Sequence, residues 1–224
     1  MAREYSVEDI RLTEEMRLYD LGTYLTAEGE IEDAICCFDQ LIDLSPDNVN
    51  GWFGRGLALK KKGDLNAAVE SFDRILSINP EHTEAWHEKG LIHQAAGDLE
   101  GAIQCFAYAV NVNPEFAKGW FSKGVALQKI AMETENENAF NEAVACFDYA
   151  IKSCPGMIEA WYNRGISLMM SGNSGEAVHS FDKVIIYDPV NAQAWYNKGL
   201  ALEDLGDKPA AEECFSLARK LLEP

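Results

Sequence analysis

The chain has 224 residues, 47% of them hydrophobic and 25% charged, with a formal net charge of −18. That apolar fraction is enough for a packed structure and argues against disorder, while the acidic balance repels phosphate backbones and argues against a nucleic-acid partner. No run approaches the ~18 apolar residues of a membrane span, and Met1-Ala2-Arg3-Glu4-Tyr5 lacks the apolar stretch of a signal peptide. The expectation is a cytoplasmic protein with no membrane partner.

Residues 1–14 form an N-terminal extension. Ser6 followed by Asp9 can cap a helix start, with Val7, Ile10 and Leu12 as a short apolar stripe. Three outcomes stay open: continuation into the next helix, a small cap upon it, or a frayed terminus.

From there a phrase recurs, a tryptophan followed four residues later by a glycine. It occurs at Trp52 and Gly56, Trp86 and Gly90, Trp120 and Gly124, Trp161 and Gly165, and Trp195 and Gly199. The tryptophan spacings are 34, 34, 41 and 34 residues, and Leu18 with Gly22 makes a sixth copy 34 residues before Trp52. Each copy continues with an alanine (Ala34, Ala68, Ala102, Ala143, Ala177, Ala211) and, four residues on, a phenylalanine (Phe38, Phe72, Phe106, Phe147, Phe181, Phe215). A proline comes next at Pro46, Pro80, Pro114, Pro155 and Pro189, with Pro224 one place late. A fixed period of this size indicates stacked units that each touch mainly their neighbours.

These residues in this register resemble the tetratricopeptide repeat family. The resemblance covers six repeats, 15–48, 49–82, 83–116, 117–157, 158–191 and 192–224. It implies an all-α fold, an α-solenoid of six helix-turn-helix units and about twelve antiparallel helices in a right-handed superhelix. One departure is systematic. The leucine usual before the glycine is a cation here, at Arg55, Lys89, Lys123, Arg164 and Lys198, and only Leu21 keeps it.

The residues read the same way locally. Trp52, Gly56 and Leu59 fall on one helical face. Gly63 is placed to end that helix in a left-handed conformation, Asp64 to cap the next, and Pro80 to end the pair. The same punctuation recurs at Gly29-Glu30, Gly97-Asp98, Gly172-Asn173 and Gly206-Asp207. The fourth repeat carries seven extra residues, Ala131–Glu137. Seven residues are close to two helical turns, about 10 Å, and preserve the helix phase. A long first helix ending near Asn138, which can take the glycine's left-handed place, is expected; a loop is the alternative. The last helix, about 209–222, is expected to leave an apolar side with Ala218, Leu221 and Leu217 uncovered. A homodimer through that repeat would cover it.

Of the six cysteines, Cys37, Cys105, Cys146 and Cys214 share one repeat position, which Ser71 and Ser180 fill elsewhere. A place taken by Cys or Ser wants a small side chain. Neighbouring helices lie about 8–10 Å apart, too far for the ~4.4–6.8 Å Cα separation of a disulfide, so reduced thiols are expected. No paired Cys-x-x-Cys spacing, metalloprotease motif or phosphate loop occurs, and neither a metal nor a cofactor is expected. Gly51 to Gly56 is glycine-rich but sits inside an expected helix. His93 takes the place of Leu59 and is expected half-buried. The chain is read as no enzyme.

In the family the first helices of the repeats line a concave groove that holds a peptide. The resemblance implies a strip with Tyr19, Phe53, His87, Phe121, Tyr162 and Tyr196 at the fifth place and Leu57 among the ninth-place residues. Aromatic anchors suit peptide recognition; packing of helix on helix explains the same residues equally simply. The family's carboxylate clamp is disfavoured, because of its required residues only Asn163 is matched, while Phe121, Val125, Gln193 and Asn197 occupy other clamp places. Asn163 and Asn197 at the sixth place can still hydrogen-bond a ligand backbone. The expected function is a non-enzymatic protein–protein interaction scaffold that binds an apolar, neutral or basic peptide in that groove. The alternatives are the interaction region of a larger enzyme or assembly, and a self-assembling structural module.

Overall fold

The computed structural model describes residues 7–223; the capping role expected of Ser6, the side chains of Val7, Asp9 and Ile10, and Pro224 lie outside the described residues. Twelve helices and no strands occur among the described residues. They are α1 (Val7–Glu28), α2 (Ile31–Leu44), α3 (Val49–Lys62), α4 (Leu65–Ile78), α5 (Thr83–Ala95), α6 (Leu99–Val112), α7 (Ala117–Thr134), α8 (Glu137–Ser153), α9 (Ile158–Met170), α10 (Ser174–Tyr187), α11 (Ala192–Asp204) and α12 (Lys208–Leu222). The chain forms two compact units, residues 1–96 and 97–224. The extension does not fray at Val7: α1 runs without a break from there into the first repeat.

In the first unit, α1 packs on α2, α2 on α3, α3 on α4 and α4 on α5. The core is the sequence's second-helix stripe: Ala34, Phe38 and Leu41, then Ala68, Phe72 and Ile75, all essentially solvent-free. Phe38 lies where a Cβ on Gly22 would come within 2.8 Å of its ring, and one on Gly54 within 2.3 Å. The absence of a side chain at both places lets two helices close on one ring. Gly63 ends α3 at φ 90°, and Asp64 caps α4 by accepting from the Ala67 N–H at 3.2 Å.

The second unit repeats the scheme from α6 to α12, with Phe106, Phe147 and Phe181 fully buried. Its first-helix glycines Gly124, Gly165 and Gly199 lie against Phe147, Phe181 and Phe215. In both units the tryptophans have one role. Each indole Nε1 donates to the carbonyl of the proline six residues earlier, at 2.8–3.0 Å. This fixes the link between consecutive helix pairs and satisfies the indole N–H.

The insertion departs from expectation. It is helical, but it is shared between two helices. α7 has 18 residues against 13 in α9 and α11, and α8 has 17 against 14 in α10. Asn138 does not take the left-handed place; it lies in the first turn of α8. Glu135 does, at φ 51°, the one non-glycine with positive φ among the described residues. The reason is the stronger cap at Asn136, whose side chain accepts from the N–H groups of Asn138 and Ala139 at 3.0 and 3.4 Å. Ala131, Ala139 and Phe140 then bury one another as a small core of their own.

The last helix also differs in detail. Ala218 is buried, on the stripe with Ala211 and Cys214 that faces α11, while Leu217, Leu221 and Leu222 are exposed. Positions 211, 214 and 218 follow the i, i+3, i+7 spacing of the packed face, and 217 and 221 fall beside it.

Candidate interaction surface

The cations that replace the usual leucine form a ladder between successive helix pairs. Arg55 Nε donates to Asp39 Oδ1 at 2.7 Å, and the Lys89–Asp73, Arg164–Asp148 and Lys198–Asp182 pairs are each 2.6 Å apart. Each carboxylate belongs to the preceding pair, sixteen residues back. Lys123 has no such aspartate among the described residues, since Ala107 stands in its place. Arg55, Lys89, Lys123 and Lys198 also lie 5.4–5.8 Å from the ring centres of their own tryptophans. The lysine run is consumed internally as well. Lys60 pairs with Glu88, Lys61 donates to the Thr26 carbonyl at 2.6 Å, and Lys62 pairs with Glu32 at 3.3 Å. These lysines close the C-terminal end of α3, where the helix dipole favours positive charge.

All six cysteines are free thiols. Cys37, Cys105, Cys146 and Cys214 are buried, and Cys36 and Cys154 are exposed. Burial pushes the Cys146 thiol up to about 11 and raises Cys37 and Cys214 as well. A thiol held protonated is a poor nucleophile.

The residues expected to face a ligand separate into two groups. In the first unit, Phe53 packs edge-on against Phe72 at 5.8 Å and stacks on His82 at 5.4 Å. Leu57 joins the same cluster, and His87 is buried. Tyr19 leans on Phe38 at 6.3 Å. There the strip is largely built into the core. His93 is half-buried, as its repeat position, equivalent to that of Leu59, suggests.

In the second unit, Phe121 packs against Phe147 at 6.0 Å and Tyr162 against Phe181 at 5.9 Å. Tyr196 packs against Phe215 at 5.4 Å yet remains 51% exposed. Asn197 Nδ2 donates to the Tyr162 hydroxyl at 2.8 Å, and Asn163 Nδ2 donates back to the Glu159 carbonyl at 2.8 Å. Tyr162, Tyr196 and Asn197 come together around one cavity of about 560 Å³, together with Gln193, Phe215 and Arg219. Phe121 and Asn163 are not among its lining residues. Arg219 is held loosely, 4.0 Å from Glu212. The cavity is of the size that takes a large side chain or a small ligand.

Sequence reasoning missed Arg219 and Gln128. Arg219 reaches the cavity only because α12 folds back over α11. Gln128 is 6% exposed, and its amide donates to the Asn163 carbonyl at 3.0 Å and the Ser167 hydroxyl at 2.9 Å, tying α7 to α9. No sequence signal singled it out, because the same repeat place holds Thr26, Lys60, Gln94 and Glu203, with Met169 the one apolar residue. No group of three or more metal-ligating side chains lies together among the described residues. No helix among them is long and apolar enough to cross a membrane.

Among curated proteins, none matches the chain by sequence. Solved structures do match by fold. PilF of Pseudomonas aeruginosa aligns at a TM-score of 0.75 with 13% identity, over 95% of this chain and 93% of that one. YrrB, described as a TPR protein with an unusual peptide-binding site, aligns at 0.73 with 20% identity, over 83% and 92%. MamA aligns at 0.67 with 22% identity, over 74% and 93%. Family models described as tetratricopeptide repeat match residues 49–82, 83–116 and 162–222, and one described as TPR repeat matches 22–63. With the recurring tryptophan, glycine and phenylalanine packed alike in one helix pair after another, the chain belongs to the tetratricopeptide repeat family.

Proposed function

We propose that the protein is a non-enzymatic interaction scaffold and that its second unit binds a peptide segment at the cavity between α9, α11 and α12. The observation that carries this reading is the convergence of Tyr162, Tyr196 and Asn197 on one apolar cavity. Tyr196 offers a large exposed ring of low rotamer entropy. Gln193 and the Asn197 amide supply hydrogen bonds for a peptide backbone, and Arg219 at the mouth faces a carbonyl or carboxylate oxygen. Phe121 and Asn163 extend the surface along α7 and α9; Phe53, Leu57 and His87 serve the first unit chiefly as packing. YrrB is described as carrying a peptide-binding site on a similar fold, which supports the reading by analogy. Six free thiols suit the reducing cytoplasm.

The test is capture of a partner from cell extract, identification of its binding segment, and titration of that segment as a synthetic peptide. Tyr162→Ala and Tyr196→Ala together should weaken binding by about 2 kcal/mol or more, roughly thirtyfold, with an unchanged helical circular-dichroism spectrum. Equal affinity for the wild type and the double variant would refute the assignment.

A second reading, self-association through α12, rests on the exposure of Leu217, Leu221 and Leu222. Leu221→Lys should then convert a dimer to a monomer in sedimentation velocity. A wild-type monomer at tens of micromolar rules it out.

A further inference from the structure

The insertion builds a second surface. Because α7 and α8 are longer than α9 and α10, their joined ends stand out beyond the turn between α9 and α10 by about 6 Å, a helical turn. The step so formed encloses a cavity of about 580 Å³. Its wall comes from the insertion and its flank, with Ala131, Met132, Glu135, Glu137 and Phe140, and its floor from Met170, Ser171 and Gly172. Phe140 and Ala131 are buried at its base, whereas Met132 and Met170 are 49% and 57% exposed. Two unbranched thioether side chains facing one space make an adaptable apolar seat.

The charged residues that line that seat, Glu135 and Glu137, are both acidic. The insertion contributes Glu133, Glu135 and Glu137, all exposed, and none is in an ion pair among the described residues. No lysine or arginine occurs between Lys129 and Lys152. A second copy of this chain, itself at −18, would bring like charge to the step. The complementary occupant is apolar at its centre and basic at its flanks.

We infer that this step docks a segment of a partner protein that places one bulky apolar side chain between Met132 and Met170, with lysine or arginine on either side facing Glu133, Glu135 and Glu137. The site is separate from the Tyr162–Tyr196 cavity and does not depend on it. Salt weakens binding there, because the flanking pairs are exposed.

A phage-displayed random dodecapeptide library selected on the whole wild-type protein tests this without a guess at the sequence. The expected outcome is a family of clones with an apolar residue bracketed by lysine or arginine. Synthetic peptides of that family should lose at least tenfold in affinity on the Met132→Lys, Met170→Lys double variant and on deletion of residues 131–137. They should lose nothing on Tyr196→Ala. Both altered methionines are exposed, so the double variant keeps its fold even if the deletion does not. The proposal is overturned if no clones enrich, if the enriched clones lack a basic bias, or if they bind the double variant as well as the wild type. Loss on Tyr196→Ala alone would assign the peptides to the other cavity. A wild-type dimer in sedimentation velocity that the double variant abolishes would make the occupant a second copy. Either result overturns the inference.

Discussion

Arg55 donates from Nη1 to the Ser71 hydroxyl at 2.9 Å while its Nε holds Asp39 of the preceding helix pair. Arg164 does the same with Ser180 at 2.8 Å and Asp148 at 2.6 Å. Serine stands sixteen residues after arginine; after Lys89 and Lys198 the place holds Cys105 and Cys214, and after Lys123, with the insertion between, Cys146. A guanidinium has several donors in a fixed fork and serves two acceptors at once, whereas an ammonium such as that of Lys198 serves the aspartate and is matched with a small apolar thiol. The two positions therefore act as one unit. Ser71→Cys should cost about 1 kcal/mol in the wild type and markedly less in an Arg55→Lys background. A double-mutant cycle by urea unfolding measures this, and independent, additive effects would contradict the coupling.

The close approach at Phe38 gives a second test. A methyl at Gly54 would lie 2.3 Å from Phe38 Cε1, and the ring cannot swing away because Gly22 presses from the other helix. Gly54→Ala should destabilise by about 1–3 kcal/mol. Gly156, with open space where its Cβ would be and no positive φ, is the control, and Gly156→Ala should stay within about 0.5 kcal/mol of the wild type.

Glu135 holds a left-handed conformation that every other such turn among the described residues gives to glycine. A side chain there costs about 1–2 kcal/mol. Glu135→Gly should therefore stabilise the protein by a few tenths to about 1 kcal/mol, the gain being reduced by glycine's greater freedom in the unfolded chain. A lowered melting temperature would show that the glutamate makes a compensating contact.

The thiols divide by burial. Cys36 and Cys154 should react with an alkylating reagent at once, and Cys37, Cys105, Cys146 and Cys214 only on unfolding. Mass spectrometry after short exposure counts the adducts, and rapid labelling of all six would contradict the packing. Cys146 has a pH consequence. Its folded pKa, about 11, lies above the ordinary value of 9.0, so ionisation favours the unfolded state between those values. The stabilisation is fully present below about pH 9 and is lost as pH rises toward 11. At about pH 10 the wild type should have lost about 1 kcal/mol more than Cys146→Ala.

Much of this was legible in the sequence, for a physical reason. Trp52, Gly56, Ala68, Phe72 and Pro80 do their work against neighbours within one helix pair, so their spacing alone states the packing. The cation at Arg55 was visible as a departure, yet its meaning needed Asp39 and Ser71, which lie on two different helices. The end of α7 was misplaced by three residues because Asn138 and Asn136 are similar on paper. What separates them is the capping geometry open to Asn136, a difference of the order of 1 kcal/mol. The cavity at Tyr196 was only half legible. Its aromatic wall follows from repeat position, but Arg219 arrives from the fold-back of α12.

The way the insertion is divided has a consequence for how such arrays vary. An antiparallel helix pair grows at its hairpin tip, and the extra residues must be split between an outgoing and a returning helix. Adding one turn to each takes about seven residues and returns the chain at the same height and phase. The connection to the next helix pair is then unaltered: the Trp161–Pro155 bond is 2.9 Å beside 3.0 Å for Trp195–Pro189, and Arg164–Asp148 and Lys198–Asp182 are both 2.6 Å. Repeat length is thus quantised rather than continuous, with 41 as the natural next size after 34. Sequence of that length can be gained or lost at the Glu135–Asn136 tip in one genetic event, without re-optimising any repeat downstream.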